Sequence, residues 1–173
     1  MSSAVRPAPR CALLLGLLVV LAGGCGRPPE LDMDRVSSNV RSSLASTFDL
    51  PVTAPRCPDQ VDVEKGRSFT CRVRIADIPL SVEVTQRDTD GNLRIQPTAA
   101  VLDMDAVRRE LTVAITAQLE SGKVEVDCGE DEVKVVPPGD TFDCSATDGA
   151  VERAVTARVR DRGGSLTYSI DEG

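Results

Sequence analysis

With no histidine anywhere in the chain, the side chains able to do chemistry are its cysteines and its many carboxylates. Cysteine stands at Cys11, Cys25, Cys57, Cys71, Cys128 and Cys144, and the last four form two spaced pairs in matching surroundings. From Cys57 to Cys71 and again from Cys128 to Cys144, the order is cysteine, turn residues, a valine-alternating run and a glycine. A phenylalanine follows three positions later (Phe69, Phe142), then the second cysteine. Four cysteines admit three connectivities. A redox dithiol has two residues between its sulfurs beside a helix N-terminus, whereas here the spacing is long and one cysteine of each pair sits on an apolar strand face. A zinc site without histidine would need all four thiols, taken from both copies of the motif. Structural disulfides remain. Pairing Cys57 with Cys71 and Cys128 with Cys144 lets each copy close on itself, and suits an oxidising compartment. Each bridge closes a loop of about 15 residues, worth about 3 kcal/mol by chain entropy.

The carboxylates point to capping and turns rather than catalysis. Asp32 and Asp34 lie in Leu31-Asp32-Met33-Asp34-Arg35-Val36, and Asp103 and Asp105 in the near-identical Leu102-Asp103-Met104-Asp105-Ala106-Val107. Both pairs coincide with the start of a helical pattern, where a carboxylate accepts from free backbone N–H groups and meets the positive end of the dipole. Asp88-Thr89-Asp90-Gly91-Asn92 resembles the opening of a calcium loop. It lacks the closing glutamate, and its counterpart Asp161-Arg162-Gly163-Gly164 has lost the ligands, so it reads as a hairpin turn. The acidic run Asp127, Glu130, Asp131 and Glu132 reads as a solvated loop. No nucleophile elbow, phosphate-binding loop or dinucleotide fingerprint occurs, and the lack of histidine removes the usual triads. The expectation is a non-enzymatic protein with no metal and no cofactor.

Two sets of elements must hold these residues. Met33, Val36, Val40, Leu44 and Phe48 recur at helical spacing, as do Met104, Val107, Leu111, Ile115 and Leu119. Pro51 and Gly122 mark the helix stops. Period-two runs follow each helix: Val61 and Val63; Phe69 to Ile75; Leu80 to Val84; Leu93 and Ile95; then Val133 and Val135; Phe142 to Ala146; Val151, Val155 and Val159; Leu166 to Ile170. Val52 and the run Val124 to Cys128 are candidate edge strands. The expected fold class is α+β, a tandem repeat of two small units, each one amphipathic helix packed on a roughly four-stranded antiparallel sheet with an internal disulfide. The boundaries are 31–97 for the first repeat, 98–101 for a linker and 102–173 for the second repeat. The chain holds three Phe, one Tyr and no Trp, so cores this small rest on aliphatic side chains and need the disulfide staples.

Residues 1–24 read as an export signal: Arg6 and Arg10, an apolar run from Cys11 to Ala22, then small residues. The run is shorter than the roughly 20 residues of a membrane span. Leu21-Ala22-Gly23-Gly24-Cys25 resembles the lipobox of bacterial lipoproteins, which implies lipidation (palmitate) at Cys25, loss of Cys11 with the signal, and a short tether over 25–30. The expected location is the extracytoplasmic face of the cell membrane, with a lipid on Cys25 as the membrane contact. The whole chain carries a formal charge of −7, and no basic stripe is present, which argues against nucleic acid as a partner.

Cys-Pro-x-x-Val at Cys57 and Gly-x-x-Phe-x-Cys from Gly66 to Cys71, behind a lipobox and a helix, resemble a domain of unknown function found in actinobacterial cell-envelope lipoproteins. The second copy departs from the pattern, with Gly129 in place of the proline and Pro137-Pro138 lengthening the turn. The family implies no activity. Two helix-on-sheet units in tandem are also similar in outline to secreted β-lactamase inhibitor proteins, although the chain lacks the aromatic residues that usually anchor such contacts. The expected function is a membrane-anchored binding or scaffolding module, with an inhibitor or adaptor of an envelope protein partner as the alternative.

Overall fold

A computed structural model describes residues 29–119, 123–149 and 151–171. In chain order the elements are α1 (Met33–Phe48), β1 (Val52–Arg56), β2 (Ser68–Ile75), β3 (Ile78–Gln86), β4 (Leu93–Pro97), β5 (Ala100–Asp103) and α2 (Met104–Leu119). Then follow β6 (Glu125–Asp127), β7 (Val133–Val136), β8 (Thr141–Thr147), β9 (Glu152–Val159) and β10 (Leu166–Ile170). The fold is α+β and its sheet pairings are antiparallel.

Each helix begins where a carboxylate meets an unpaired N–H. Asp32 accepts from the Arg35 amide at 3.0 Å, and Asp103 accepts from the Ala106 amide at the same distance. The helical spacing of apolar residues then buries Val36, Val40 and Leu44 of α1, and Met104, Val107, Leu111 and Ile115 of α2. One four-stranded sheet runs β1-β2-β3-β4 and the other β10-β9-β8-β6. The inward positions of β2 and β3 (Cys71, Val73, Ile75, Leu80, Val82, Val84) join α1 in one core. Those of β8 and β9 (Cys144, Ala146, Val155, Val159) join α2 in the other.

Four pairs of backbone bonds correspond between the sheets. Gly66 donates to Gln86 and Gly139 to Val159, both at 2.8 Å; Gln86 returns a bond to Arg67 and Val159 to Asp140. Arg87 donates to Asn92 and Arg160 to Ser165, both at 2.8 Å, while Arg67 donates to Glu64 and Asp140 to Pro137, both at 3.1 Å. The last correspondence corrects the sequence reading of Pro137-Pro138. Pro137 takes the same turn bond as Glu64, so the extra length of the second cysteine-to-cysteine segment lies between Cys128 and β7.

Three other expectations differ from the structure. Val61 and Val63 do not form a sheet strand: Val61 is buried, and the segment joins the chain ahead of α1 through an isolated Glu30–Asp62 bridge. The fourth strand of that sheet is β1, whose pairing with β2 is irregular between Thr53 and Arg56, with Ala54 at φ 47°. Val151 precedes β9 and is exposed, because the inward positions of that strand begin at Val155. Residues 98–101 are not a free connection. The Thr98 amide and hydroxyl both donate to the Ser81 carbonyl at 3.0 Å, Ala99 and Ala100 are buried, and β5 has already begun.

That last segment ties the molecule together. β5 pairs with β7 in a two-stranded ribbon with Ala100 opposite Val136 and Val101 opposite Val135. Alternate residues of a strand point to opposite faces. Ala100, Leu102 and Val136 therefore enter the core under α2, while Val101 and Val135 pack against the core under α1. The ribbon is a wall shared by both cores.

Candidate functional site

The structure joins Cys57 to Cys71 (S–S 1.99 Å) and Cys128 to Cys144 (2.01 Å). Cys71, Cys128 and Cys144 are buried, and Cys57 is half-buried behind the Ser37 hydroxyl, 3.9 Å from its sulfur. The sulfurs staple β1 to β2 and the start of the β6–β7 turn to β8. Cys25 lies outside the described residues, as do residues 1–24, the first part of the 25–30 tether, and Gly122.

The Asp88 and Asp161 turns are built from within. Asp88 accepts from the Asp90 amide (3.0 Å), the Asn92 amide (3.1 Å) and the Asn92 side-chain nitrogen (2.7 Å). Asp161 accepts from the Gly163 and Ser165 amides at 2.9 and 3.2 Å. Hydrogen bonds from Asn92, side chain first, hold the Asp88 carboxyl below the usual aspartate range, and those from Ser165 do the same for Asp161. The Asp131 carboxyl is lowered by the Lys134 ammonium that pairs with it. These carboxylates are spent on their own loops. Among the described residues no group of three or more His, Cys, Asp or Glu is placed to hold a metal ion.

A cleft of about 510 Å³ lies beside the shared ribbon, lined by Thr47, Phe48, Leu50, Val101, Asp103, Asp105, Glu132 and Val133. Its geometry follows from three local events. α1 stops at Phe48 because Asp49 turns left-handed (φ 53°), and the chain delivers Leu50 beside Phe48. β5 ends at Asp103, the residue whose carboxylate caps α2. The Glu132 carbonyl accepts from the Met104 amide at 3.0 Å and so holds the start of β7 against the start of α2.

The result is an apolar floor (Phe48, Leu50, Val101, Val133) under an acidic rim (Asp103, Asp105, Glu132). The carbonyl end of α1, which has no basic residue in its last turn, adds partial negative charge. Asp103 is engaged as a cap and Asp105 with Arg108. This arrangement suits an ammonium or guanidinium carried on an apolar stem; it offers charge and dry surface rather than a free acid–base pair.

Sequence reasoning had assigned Asp103 and Asp105 to the helix start and Glu132 to a solvated loop. The structure brings Phe48 and Leu50 alongside them in one cleft. Gln86 was also missed. It is nearly fully buried (1% exposed), accepting from the Glu64 amide at 3.0 Å and donating to the Asp62 carbonyl at 2.9 Å. A lone glutamine at an inward strand position, where the other sheet has Val159, was the available signal.

A further cleft, of about 530 Å³, flanks the first disulfide, with Met33, Asp34, Ser37, Arg56 and Cys57 among its walls. This disulfide and its helix fall inside the stretch that comparison identifies. Residues 13–91 match a domain of unknown function, DUF4333. The match covers α1 to β3 and ends in the Asp88 turn, before β4. No curated protein and no solved structure matches the chain. Among the described residues, no helix is long and apolar enough to cross a membrane.

Proposed function

We propose that this protein is a non-enzymatic, lipid-anchored module of the cell envelope, displayed on the extracytoplasmic face of the membrane, and that it binds a cationic partner at the cleft beside its shared ribbon. It is built from two tandem copies of a DUF4333-like domain of the kind carried by actinobacterial envelope lipoproteins. The duplication is supported by the matched hydrogen bonds of the two sheets, their matching strand order and their equivalent disulfides. The export layout and the small residues before Cys25 support the anchor.

The observation that carries the binding role is the cleft itself. Phe48 and Leu50 come from one half of the chain and Val101, Asp103, Glu132 and Val133 from the other, so the site exists only when both halves are docked. An inhibitor gripping its target by a sheet face has less support. The outward positions of both sheets carry mainly Thr, Ser, Arg, Asp and Glu, and the only exposed large hydrophobics among the described residues are Val113 and Val151.

Two experiments test the reading. Labelled palmitate should enter the wild-type chain and not Cys25→Ser, and the variant should leave the membrane fraction; a variant that remains there equally well overturns the anchor. A fluorescent peptide of alternating lysine and leucine should bind the full chain in a salt-sensitive manner. Glu132→Lys, which reverses a rim charge, and Val133→Ser, which removes apolar floor without adding charge, should each weaken it about tenfold, equivalent to about 1.4 kcal/mol. Equal binding by wild type and both variants, with melting temperatures unchanged, removes the cleft from the proposal.

A further inference from the structure

The outward faces of the two sheets are charged in opposite senses. In the sheet covered by α1, the outward positions are fixed by the registers Arg56 opposite Arg72, Thr53 opposite Arg74, Thr70 opposite Glu83, and Thr85 opposite Arg94. That face shows Arg56, Arg72, Arg74 and Arg94; its strands carry one carboxylate, Glu83, and the adjoining turn brings Asp77 within 4.0 Å of Arg74. In the other sheet the registers are Glu125 opposite Thr147, Thr147 opposite Glu152, Asp127 opposite Ser145, and Asp143 opposite Thr156. That face shows Glu125, Asp127, Asp143 and Glu152 against Arg158.

The segregation is physical as well as formal. Arg56, Arg72, Arg74 and Arg94 are exposed, and so are Glu125, Asp127, Asp143 and Glu152. Glu83 is answered by Arg162 at 3.6 Å, and Arg158 donates to the Gly139 carbonyl at 2.7 Å, so each minority charge is already engaged. Arg56 and Arg72 sit directly across from one another, an arrangement that costs stability when left to itself. A basic face of this kind is unexpected on a chain of net charge −7.

We propose that the basic outer face of the first sheet docks on the acidic outer face of the second sheet of another copy of the same chain. Because the two faces differ, the contact is heterologous and passes from copy to copy, giving an open row or a ring rather than an isologous two-fold dimer. Four strands about 4.8 Å apart and about seven residues long offer roughly 450 Å² per partner, the size of a weak, transient contact. Confinement to a surface raises effective concentration and makes such contacts count. The charges act mainly on encounter and orientation, and salt above about 0.1 M shortens their reach to less than 10 Å. The inference goes beyond the cleft reading and needs neither the cleft nor the lipid.

The test places a photoreactive benzophenone side chain at position 70, on the basic face. The purified full chain is irradiated both in solution and with phosphatidylcholine vesicles, and the crosslinked peptides are mapped. Crosslinks from position 70 should fall in 141–147 and 152–158 of a second copy, and decline severalfold between low and high salt. The variant R72E/R74E should lose them, as should D143R/E152R, when each is alone. Mixing the two variants, with the reactive group on D143R/E152R, should restore them as discrete heterodimers without longer species. The heterodimer also proves that both variants are folded. Absence of crosslinks in wild type, crosslinks to other regions, or yields indifferent to the charge reversals overturn the proposal. Replacing part of the phosphatidylcholine with phosphatidylglycerol gives the remaining outcome: if position 70 then crosslinks to lipid in place of protein, the basic face is a membrane surface and the self-association is wrong.

Discussion

Two residues, Ala76 and Asp77, close the hairpin between β2 and β3 with φ of 44° and 62°. Both central positions are left-handed, the geometry of a two-residue turn that favours Asn-Gly. An alanine in that region meets its own backbone, at about 1 kcal/mol or more for a non-glycine residue. Ala76→Asn with Asp77→Gly should therefore raise stability by about 1 kcal/mol. The Arg74 side chain donates to the Asp77 carbonyl, which the double variant keeps, and the exposed Arg74–Asp77 ion pair it loses contributes little. Denaturant titration checks this: a lower midpoint would show that the turn is held by those contacts and not limited by its residues. Gln86 is the opposite case. Its amide replaces a strand partner for residues 62–64, and Gln86→Val would leave the Glu64 amide and the Asp62 carbonyl without it, a loss of about 1–3 kcal/mol by the same titration. Neither role was legible beforehand, because Ala76 carries no turn signature and a buried glutamine is recognised only once its partners are in place.

At the level of the element, much more could be read. Aspartates before apolar helical spacing gave both helices their starts, since a cap bond is local and depends on residues three apart. The inward apolar residues of β2, β3 and β8 followed from alternation. Val61 and Val63 alternate just as well, yet form no sheet strand, because alternation reports which side is buried and not which neighbour supplies the hydrogen bonds. The Asp88 and Asp161 turns were recognised as hairpins from glycine and asparagine alone, and Gly91 and Gly164 do adopt positive φ. Their chemistry yields a pH prediction. Each carboxyl binds its proton less readily folded than unfolded, so its contribution is complete above the ordinary aspartate pKa and fades as pH falls through the lowered folded value. Stability should fall with acid below about pH 4, where unfolded aspartates begin to protonate. In Asp88→Asn with Asp161→Asn, the slope of stability against pH between 2 and 4 should be shallower than in wild type. Chemical unfolding followed by circular dichroism across that range is the measurement, and an unchanged slope would assign the acid sensitivity to other carboxylates.

For the molecule as a whole, the deciding feature is the β5–β7 ribbon, whose first strand begins within residues 98–101. Ala99, Ala100, Val101 and Leu102 follow a proline and are too few to show a period, so the sequence marks a connection where the structure places a wall. Each face of that wall belongs to a different core: Ala100, Leu102 and Val136 to one, Val101 and Val135 to the other. The cleft depends on the same joint, since Phe48 and Leu50 meet Val101 and Val133 only while the ribbon stays docked. If the wall couples the two cores, heating should unfold them together as one transition. Val135→Asp removes an apolar contact with the α1 core and sets a carboxylate there, while leaving the backbone pairing with Val101 and the disulfides untouched. The expected result by scanning calorimetry is a split into two transitions, the lower one shifted down. Lysine–leucine peptide binding should weaken in parallel although no rim carboxylate has changed. The control Val113→Asp places the same carboxylate at an exposed position of α2 and should leave the coupling in place. A single transition in Val135→Asp with binding unchanged would mean that the halves are held by something other than the ribbon, and that the cleft does not require their docking.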